Sequence, residues 1–185
     1  DYSKQKPERY WGTPNDNGRI VSGLRNENYN VNDSTISYED KRLRGRVEWQ
    51  ANDWLTLRDE VYYFEANRHW KNVEQYSLNA AAGTVDRSDY LEIKHNMDQT
   101  WNRLEAGIRT DRHRGVVGWE VARVNFRHIN NSPYGGASTV SASNPAHGTW
   151  SSPDPTLAKF DTRSTLQAFY AEDAWQFADK WLLMA

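Results

Sequence analysis

The chain has 185 residues, enough for one domain, but its mean hydropathy of −0.95 and hydrophobic content of 37% are low for a compact soluble fold. Its 9 Trp, 10 Tyr and 5 Phe distinguish it from a disordered chain. A formal net charge of −2 argues against nucleic-acid binding, and the absence of cysteine excludes disulfides, Cys-metal sites and thiol catalysis.

This composition fits strands that alternate apolar and polar residues, and it also fits a carbohydrate-binding β-domain. Residues 1–20 lack the pattern of a signal peptide. No apolar run approaches the ~20 residues of a transmembrane helix, so the sequence would cross a membrane only as a barrel.

The N-terminal segment, residues 1–36, is predicted to be a long irregular loop, because Pro, Gly and Asn recur throughout it. Tyr10, Trp11 and Tyr29 lie in this segment. Loops of this length are usually functional or disordered, and the aromatic residues favour a function.

A strand is predicted from about Ser37 to Ala51. Leu43 and Val47 fall on one face, whereas Arg44 and Arg46 fall on the other. This period of two residues is the clearest structural signal in the sequence. A Lys or Arg that faces lipid at the bilayer midplane costs about 2–4 kcal/mol, so in a membrane these arginines are expected to face a wet lumen.

Two short turns are flanked by tryptophan on both sides. Trp49 and Trp54 enclose the first turn, and Trp175 and Trp181 enclose the second. In a membrane barrel such tryptophans form the girdle at headgroup level, whereas in a soluble sheet they would be buried core. We expect the girdle.

Long and short connections are predicted to alternate, which is typical of an up-and-down outer-membrane barrel with long extracellular loops and short periplasmic turns. Arg103 and Arg109, like Arg44 and Arg46, are expected to face its lumen. The remaining predicted elements are a strand at 54–68, a polar loop at 69–83 with Trp70 and Tyr76, one long or two shorter strands at 84–110, a turn at 111–115, a strand at 116–128, a loop at 129–162 with Tyr134 and Trp150, and a strand at 163–177.

An ordered set of short motifs resembles the barrel of TonB-dependent outer-membrane siderophore receptors, in the ferrichrome-receptor-like branch. The motifs are Tyr10-Trp11-Gly12-Thr13-Pro14, Asn28-Tyr29-Asn30, Glu48-Trp49 before the Asn52-Asp53 turn, Leu57-Arg58, Val85-Asp86-Arg87 leading to His95, Gly118-Trp119-Glu120, and Tyr170-Ala171-Glu172-Asp173 before Trp175.

The resemblance implies a large plugged barrel in the Gram-negative outer membrane that imports ferric siderophore with energy from TonB. Residues 1–185 would then form part of the barrel domain, about seven strands. The plug domain, the energy-coupling segment and the other strands are not recognisable in this sequence. The expected partners are the siderophore, the TonB complex, the plug domain and the lipid bilayer, but no nucleic acid.

No pattern of catalytic or metal-binding residues is recognisable. The five His residues have no metal-ligand spacing, and Asp59-Glu60 and Glu172-Asp173 place their carboxylates on opposite strand faces. We therefore expect neither an enzyme, nor a metal site, nor a cofactor.

Aromatic residues of the predicted loops are the candidate ligand-binding residues, because siderophore pockets of the family are lined by aromatic side chains. Packing of the loops against one another is the alternative explanation for them. Two other functions stay open: a soluble β-sandwich that binds carbohydrate through exposed aromatics, and a porin or adhesin barrel. The candidates are Tyr10, Trp11, Tyr29, Trp70, Tyr76, Tyr134 and Trp150.

Overall fold

The computed structural model describes residues 1–7, 12–16 and 18–185, which are mostly β-strand. One turn of 3-10 helix lies at Ser22–Leu24. The strands are β1 (Tyr2–Gln5), β2 (Asn15–Asp16), β3 (Arg19–Ile20), β4 (Thr35–Gln50), β5 (Leu55–Asn79), β6 (Thr84–Arg109), β7 (His113–Asn130), β8 (Ala137–Ser141), β9 (Leu157–Ala178) and β10 (Trp181–Met184).

Eight of these strands form one antiparallel sheet. Seven of them follow the order β1-β4-β5-β6-β7-β9-β10, and the eighth, β8, pairs with the N-terminal end of β6. β2 and β3 form a separate two-stranded ribbon. Strands β4 to β7 are neighbours in both sequence and space. The predicted all-β, antiparallel up-and-down architecture is therefore confirmed, and an open sheet of this kind is consistent with part of a barrel.

One face of the sheet, which we call the belt face, is apolar near the short turns. A single row across the five long strands consists of Trp49, Leu57, Ala106, Val117 and Ala171, each opposite the next. The large apolar side chains of this region are between 42% and 79% exposed. We call them the apolar belt, and its members are Leu43, Val47, Trp49, Val61, Leu104, Val117, Phe169 and Trp175.

The opposite face, which we call the ion-pair face, carries rows of alternating charge. Arg46 lies opposite Glu60, which lies opposite Arg103, which lies opposite Glu120. The predicted common face of Arg44, Arg46, Arg103 and Arg109 is confirmed by this register.

Three loop predictions are wrong in part. Residues 69–79 continue β5, because they pair with β6 almost to the tip of the hairpin, and only 80–83 form the turn. The predicted loop at 129–162 contains β8, and β9 starts six residues earlier than expected. β1 lies in the segment predicted to be irregular, where its backbone pairs with β4.

The two ends of the sheet differ. The turn end holds the short connections at 51–54, 110–112 and 179–180. At the loop end, residues 21–34 and 131–156 pack on the extended β5–β6 hairpin. Their contact region, which we call the loop core, contains Tyr29, Val31, Val73, Val85, Tyr90 and Val140.

The first tryptophan-flanked turn is built by an asparagine side chain. Asn52 Oδ1 accepts hydrogen bonds from the backbone N–H of Trp54 at 3.0 Å and of Leu55 at 2.9 Å. An Asn or Asp side chain that hydrogen-bonds to nearby backbone N–H groups in this way takes the place of backbone–backbone hydrogen bonds at a tight turn. The turn is therefore fixed by its own side chain.

Replacing Asn52 by Ala should loosen the turn, because both N–H groups lose their acceptor at a cost of about 0.5–1.5 kcal/mol each. Amide hydrogen exchange at Trp54 and Leu55 should become at least severalfold faster. The neighbouring Asp53→Ala variant is the control and should leave both amides unchanged. Equal exchange in Asn52→Ala and the unmodified chain would contradict this explanation.

Candidate functional site

Of the five predicted ligand-binding residues that the structure describes, Tyr29, Tyr76 and Trp150 come together in or against the loop core, whereas Trp70 and Tyr134 are not part of it. Tyr10 and Trp11 lie outside the described residues. Tyr29 is fully buried in the loop core, where its hydroxyl donates to the Ala142 carbonyl oxygen. Burial, reinforced by the charge of Glu27, raises the pKa of Tyr29. In this structure the ring stabilises the loop core.

Trp70 and Tyr76 lie on β5 and not in a loop, which corrects the predicted placement. Tyr76 packs its ring over Gly12, and its hydroxyl donates to the Val73 carbonyl oxygen at 2.9 Å. Gly12 has φ +72, and a Cβ there would lie 2.5 Å from the Tyr76 ring, so the contact requires glycine. Trp70 is 40% exposed.

Tyr134 and Trp150 lie in the connection between β7 and β9. The Tyr134 hydroxyl accepts a hydrogen bond from Asn130 Nδ2 at 3.2 Å. Trp150 donates its backbone N–H to Asp33 Oδ1 at 2.7 Å, and its ring lies 5.9 Å from Lys71 Nζ. Their contact with a ligand stays a prediction, as it does for the other five.

Glu92 anchors this connection to the sheet. Its carboxylate accepts hydrogen bonds from Thr156 Oγ1 at 2.7 Å and His69 Nε2 at 2.8 Å, and it pairs with Lys94 Nζ at 3.0 Å. Burial alone would raise the pKa of Glu92, but these three partners outweigh it and lower the pKa to about 2. Its backbone N–H donates to Asn131 Oδ1 at 2.7 Å.

On the loop-end side of the apolar belt, the belt face of β5 and β6 is covered by the loop core and by Glu92 with its hydrogen-bond partners. Lys71, Val73, Tyr90 and Glu92, which contact the loops, all belong to that face by their register. The ion-pair face at the loop end is less covered: Tyr38, Arg42 and Trp70 are exposed there, although Asn72 and Asn130 are buried. This exposed part of the ion-pair face, which we call the open face, is the candidate functional site.

Two arginines on the open face lie over aromatic rings. The Arg42 guanidinium is 5.2 Å from the Phe64 ring centroid, and that of Arg68 is 5.2 Å from the Tyr38 centroid. Asp40 lies between them and pairs with both, at 3.3 Å from Arg42 and 2.6 Å from Arg68. Each cation thus has a ring and a carboxylate as partners.

Beside these pairs, four rings from β6, β7 and β9 form what we call the ring ladder. Phe126 lies 5.3 Å from His95, His95 lies 4.8 Å from His128, and His128 lies 5.1 Å from Phe160, measured between ring centroids. The two imidazoles are hydrogen-bonded, with His95 Nε2 2.7 Å from His128 Nδ1. Such spacings lie within the range over which aromatic rings attract each other.

Nearer the turn end, the open face becomes a polar groove of about 830 Å³. Two of its lining residues, Arg58 and Glu48, form an ion pair at 3.0 Å. Outside the groove on the same face, Arg103 pairs with Glu120 at 3.1 Å, and Tyr170 packs its ring on Gly118 and donates its hydroxyl to Glu105. The groove is lined among others by Gln50, Arg58, Arg109, Arg114 and Glu172.

Trp49, Trp54, Trp175 and Trp181 are each at least 42% exposed, so none is buried in a core of this chain. No helix in the described part of the chain is long and apolar enough to cross a membrane. Among residues 1–7, 12–16 and 18–185, no group of three or more His, Asp or Glu side chains could hold a metal ion.

No protein-family model matches the sequence. No curated protein matches it either. Among solved structures, the chain is similar to part of BauA, described as the ferric preacinetobactin receptor from Acinetobacter baumannii, with a TM-score of 0.60 and 13% sequence identity. The match covers 82% of this chain and 24% of that one, so this chain spans about a quarter of the receptor. At this identity the likeness shows the fold alone.

The Glu92 anchor predicts a pH-dependent loop. A carboxylate with a pKa of about 2 in the fold and an ordinary value of 4.5 stabilises the closed loop above pH 4.5 and loses this effect as the pH falls towards 2. Amide exchange of residues 131–156 should therefore accelerate in that interval.

Glu92→Gln should open the same loop at neutral pH, at a cost of about 1.5–3 kcal/mol, and should remove the acid step between pH 4.5 and 2. Asp161→Asn, at an exposed carboxylate on β9, is the matched control and should retain the step. If the amides of residues 131–156 exchange equally fast in the Glu92→Gln variant and in the unmodified protein, Glu92 does not anchor this connection.

Proposed function

We propose that this chain is part of the β-barrel of a Gram-negative outer-membrane receptor that imports a ferric siderophore into the periplasm, energised through TonB. The observation that carries the proposal is the two-faced sheet, with an exposed apolar belt on one face and rows of ion pairs on the other. The likeness to part of a structure described as a ferric siderophore receptor supports the choice of cargo.

The belt has the dimensions that a bilayer requires. It extends on β5 from Leu55 to Tyr63, eight residue steps, or about 27 Å along a strand. With a strand tilt of about 40° this becomes about 21 Å, close to the ~25 Å apolar band of outer-membrane barrels. Trp49 and Trp54 lie at its turn-end border, where girdle tryptophans are found.

Two charged side chains lie on the belt face within this span, Asp59 in its middle and Arg123 in the same row as Tyr63, at its loop-end border. Asp59 lies opposite Val47 and Leu104 on the belt face, and it accepts a hydrogen bond from Asn102 Nδ2 at 2.6 Å. Polar side chains within a membrane are tolerated when they pair with one another, as Asp59 and Asn102 do. Beyond the belt, the same face becomes charged, with Lys41 and Glu65 paired at 3.0 Å, as expected for a surface that leaves the bilayer.

The ion-pair face would then line the lumen and face the plug domain of the same polypeptide. Arg44, Arg58 and Arg103 on this face are already paired with carboxylates, so a plug would meet charges that are largely balanced within the wall. The short turns would lie in the periplasm, and the open loop end would receive the siderophore outside the cell. The plug and the TonB-contacting segment would lie in other parts of the polypeptide.

In this proposal the protein is a transporter and not an enzyme, and it holds no cofactor of its own. The siderophore chelates the iron, so the wall of the barrel need only bind the organic chelate. The aromatic and guanidinium groups of the open face are suited to that task because they offer large, rigid contact surfaces.

A lipid-facing belt predicts that a new charge impairs barrel assembly on the belt face but not on the ion-pair face. Val47→Arg would place a cation against lipid at a cost of about 2–4 kcal/mol, and it should reduce the amount of heat-modifiable barrel in the outer membrane. Leu166→Arg, an equally exposed apolar residue on the ion-pair face, is the matched control and should assemble normally. Equal assembly of both variants would argue against a lipid-facing belt.

The transport function is tested in iron-starved cells. Deleting the gene for the full protein should abolish uptake of radioactive iron supplied as at least one ferric siderophore, and restoring the gene should recover it. Inactivating TonB should have the same effect. Unchanged uptake of every siderophore tested in the deletion strain would contradict the proposal.

A further inference from the structure

A second groove, of about 550 Å³, crosses the belt face at the loop-end border of the apolar belt, and we call it the border groove. Cavities of about 300–1,000 Å³ are the usual size of sites for small molecules. Two rows of its lining residues lie on β5, β6 and β7. The row nearer the belt is Val61, Asn102 and Val121, and the row nearer the loops is Tyr63, Thr100 and Arg123.

The border groove lies on the central strands of the sheet. β5 is paired with β4 and β6, β6 with β5 and β7, and β7 with β6 and β9. Further strands of the proposed barrel would pair with the outer edges of the sheet. They would therefore lie beside these strands and leave the belt face of β5, β6 and β7 uncovered.

Arg123 is a cation at the loop-end side of the border groove. Its side chain is exposed, and no ion pair in the described part of the chain includes it. Asp98, one row further towards the loops, accepts a hydrogen bond from Asn125 Nδ2 at 2.7 Å. On the ion-pair face, by contrast, Arg44 and Arg103 are each paired with a carboxylate. The donors of Arg123 are therefore available to an anion outside the chain.

The surroundings of Arg123 add positive charge. Arg127 on β7 and Arg163 on β9 are also exposed and lie on the belt face. Asp161, opposite Arg127, is the one carboxylate on the belt face of β7 and β9 in this region. With Asp98 of β6 included, the three arginines still outnumber the carboxylates. This border of the belt thus attracts negative charge.

Arg123 lies at the level where lipid headgroups are expected. In the proposed membrane placement, the belt spans the hydrocarbon up to the row of Tyr63, and Arg123 belongs to that row. A guanidinium binds phosphate through two parallel hydrogen bonds, which makes arginine well suited to phosphate recognition. From Arg123 the groove continues towards the middle of the belt, where Val121 and Trp119 line it.

We propose that the border groove binds one anionic, phosphate-bearing lipid of the outer leaflet, an inference that rests on the membrane placement proposed above and not on the cargo. Arg123 binds the phosphate. The acyl chain lies along Val61 and Val121 towards Trp119, where it replaces water or loosely packed chains. The groove distinguishes this site from the rest of the belt, which meets lipid chains without selecting a headgroup.

Two lipids with identical chains test this selectivity. Phosphatidylglycerol carries an uncompensated phosphate, whereas in phosphatidylcholine the choline cation compensates it. The purified full-length protein, offered both at equal concentration, should retain about two- to fivefold more phosphatidylglycerol in native mass spectrometry, as expected for one partly exposed ion pair. Equal retention of the two lipids would overturn the inference.

Substitutions of arginine locate the headgroup contact. Arg123→Gln should remove the preference for phosphatidylglycerol. Arg127→Gln changes another exposed arginine on the same strand and face, outside the groove, and it should retain the preference. A preference that persists in Arg123→Gln, or that falls equally in both variants, would show that no site at Arg123 selects the headgroup.

Substitutions of valine locate the acyl chain. Val121→Trp places a large ring in the groove and should reduce the retention of both lipids. Val117→Trp adds the same ring on the same strand and face, outside the groove, and it should leave retention unchanged. If Val121→Trp retains both lipids like the unmodified protein, the chain does not occupy the groove.

Heat-modifiability and iron uptake separate this inference from the proposed function. If the protein forms a heat-modifiable barrel and imports ferric siderophore but retains both lipids equally, the function stands and the lipid site is wrong. If it forms the barrel and selects phosphatidylglycerol through Arg123 but imports no ferric siderophore, the lipid site stands and the cargo is wrong. A protein that forms no heat-modifiable barrel overturns both.

Discussion

The structure depends on one constraint, the register in which five long strands pair. Strands of 16 to 26 residues alternate their side chains between two faces, and their backbone hydrogen bonds fix which residues share a face. A slip of one residue would move every side chain of a strand to the other face. In the observed register, Arg46, Glu60, Arg103 and Glu120 form one row while Trp49, Leu57, Ala106 and Val117 form another. The belt, the ion pairs and the groove all follow from this separation.

The same separation explains where the connections pack. Beyond the belt, β5 and β6 turn polar on the belt face, and Glu92 and Lys71 give the loop segments charged anchors there. The segments at 29–33 and 147–152 join over these strands, with Asn32 N–H donating to the Gly148 carbonyl oxygen at 3.0 Å. Because the loops are held on this side, the rings and guanidinium groups of the ion-pair face remain accessible. A soluble sandwich would require a second layer over the belt, and the described chain forms only one sheet there.

Much of the fold could be predicted from the sequence because alternation is a local property. The Leu43 to Trp49 pattern and the tryptophan-flanked turns predict strands, hairpins and faces without knowledge of their partners. The extension of β5 through Trp70 and Tyr76 could not be predicted in this way, because polar residues such as Asn72 and Gln75 break the alternation and only pairing with β6 holds them extended. The polar composition of residues 69–79 therefore predicts a loop where the structure has a strand.

The candidate site was harder to predict for a related reason. His95 and His128 are 33 positions apart, and Phe160 lies on a third strand, so only the register brings their rings together. The signal available in the sequence was the alternation of side chains along each strand, which places His95, His128 and Phe160 on the same face as Arg103 and Glu120 once the strands are paired. The aromatic residues in predicted loops indicated Tyr29 and Trp150 instead, and in the structure both pack between the loops and strands β5 and β6.

The most direct test of this account measures what each face contacts. These 185 residues have no cysteine, so after any cysteine elsewhere in the full-length protein is replaced by serine, single cysteines can be introduced one at a time and spin-labelled in lipid bilayers. The positions are Val47, Leu104 and Phe169 on the belt face and Leu166 and Ala168 on the ion-pair face. Collision rates with oxygen, which concentrates in lipid, and with a water-soluble nickel chelate report the surroundings of each label. A lipid-facing belt predicts high oxygen and low nickel accessibility on the belt face and the reverse on the ion-pair face. Labels on both faces that are equally accessible to the nickel chelate would contradict it.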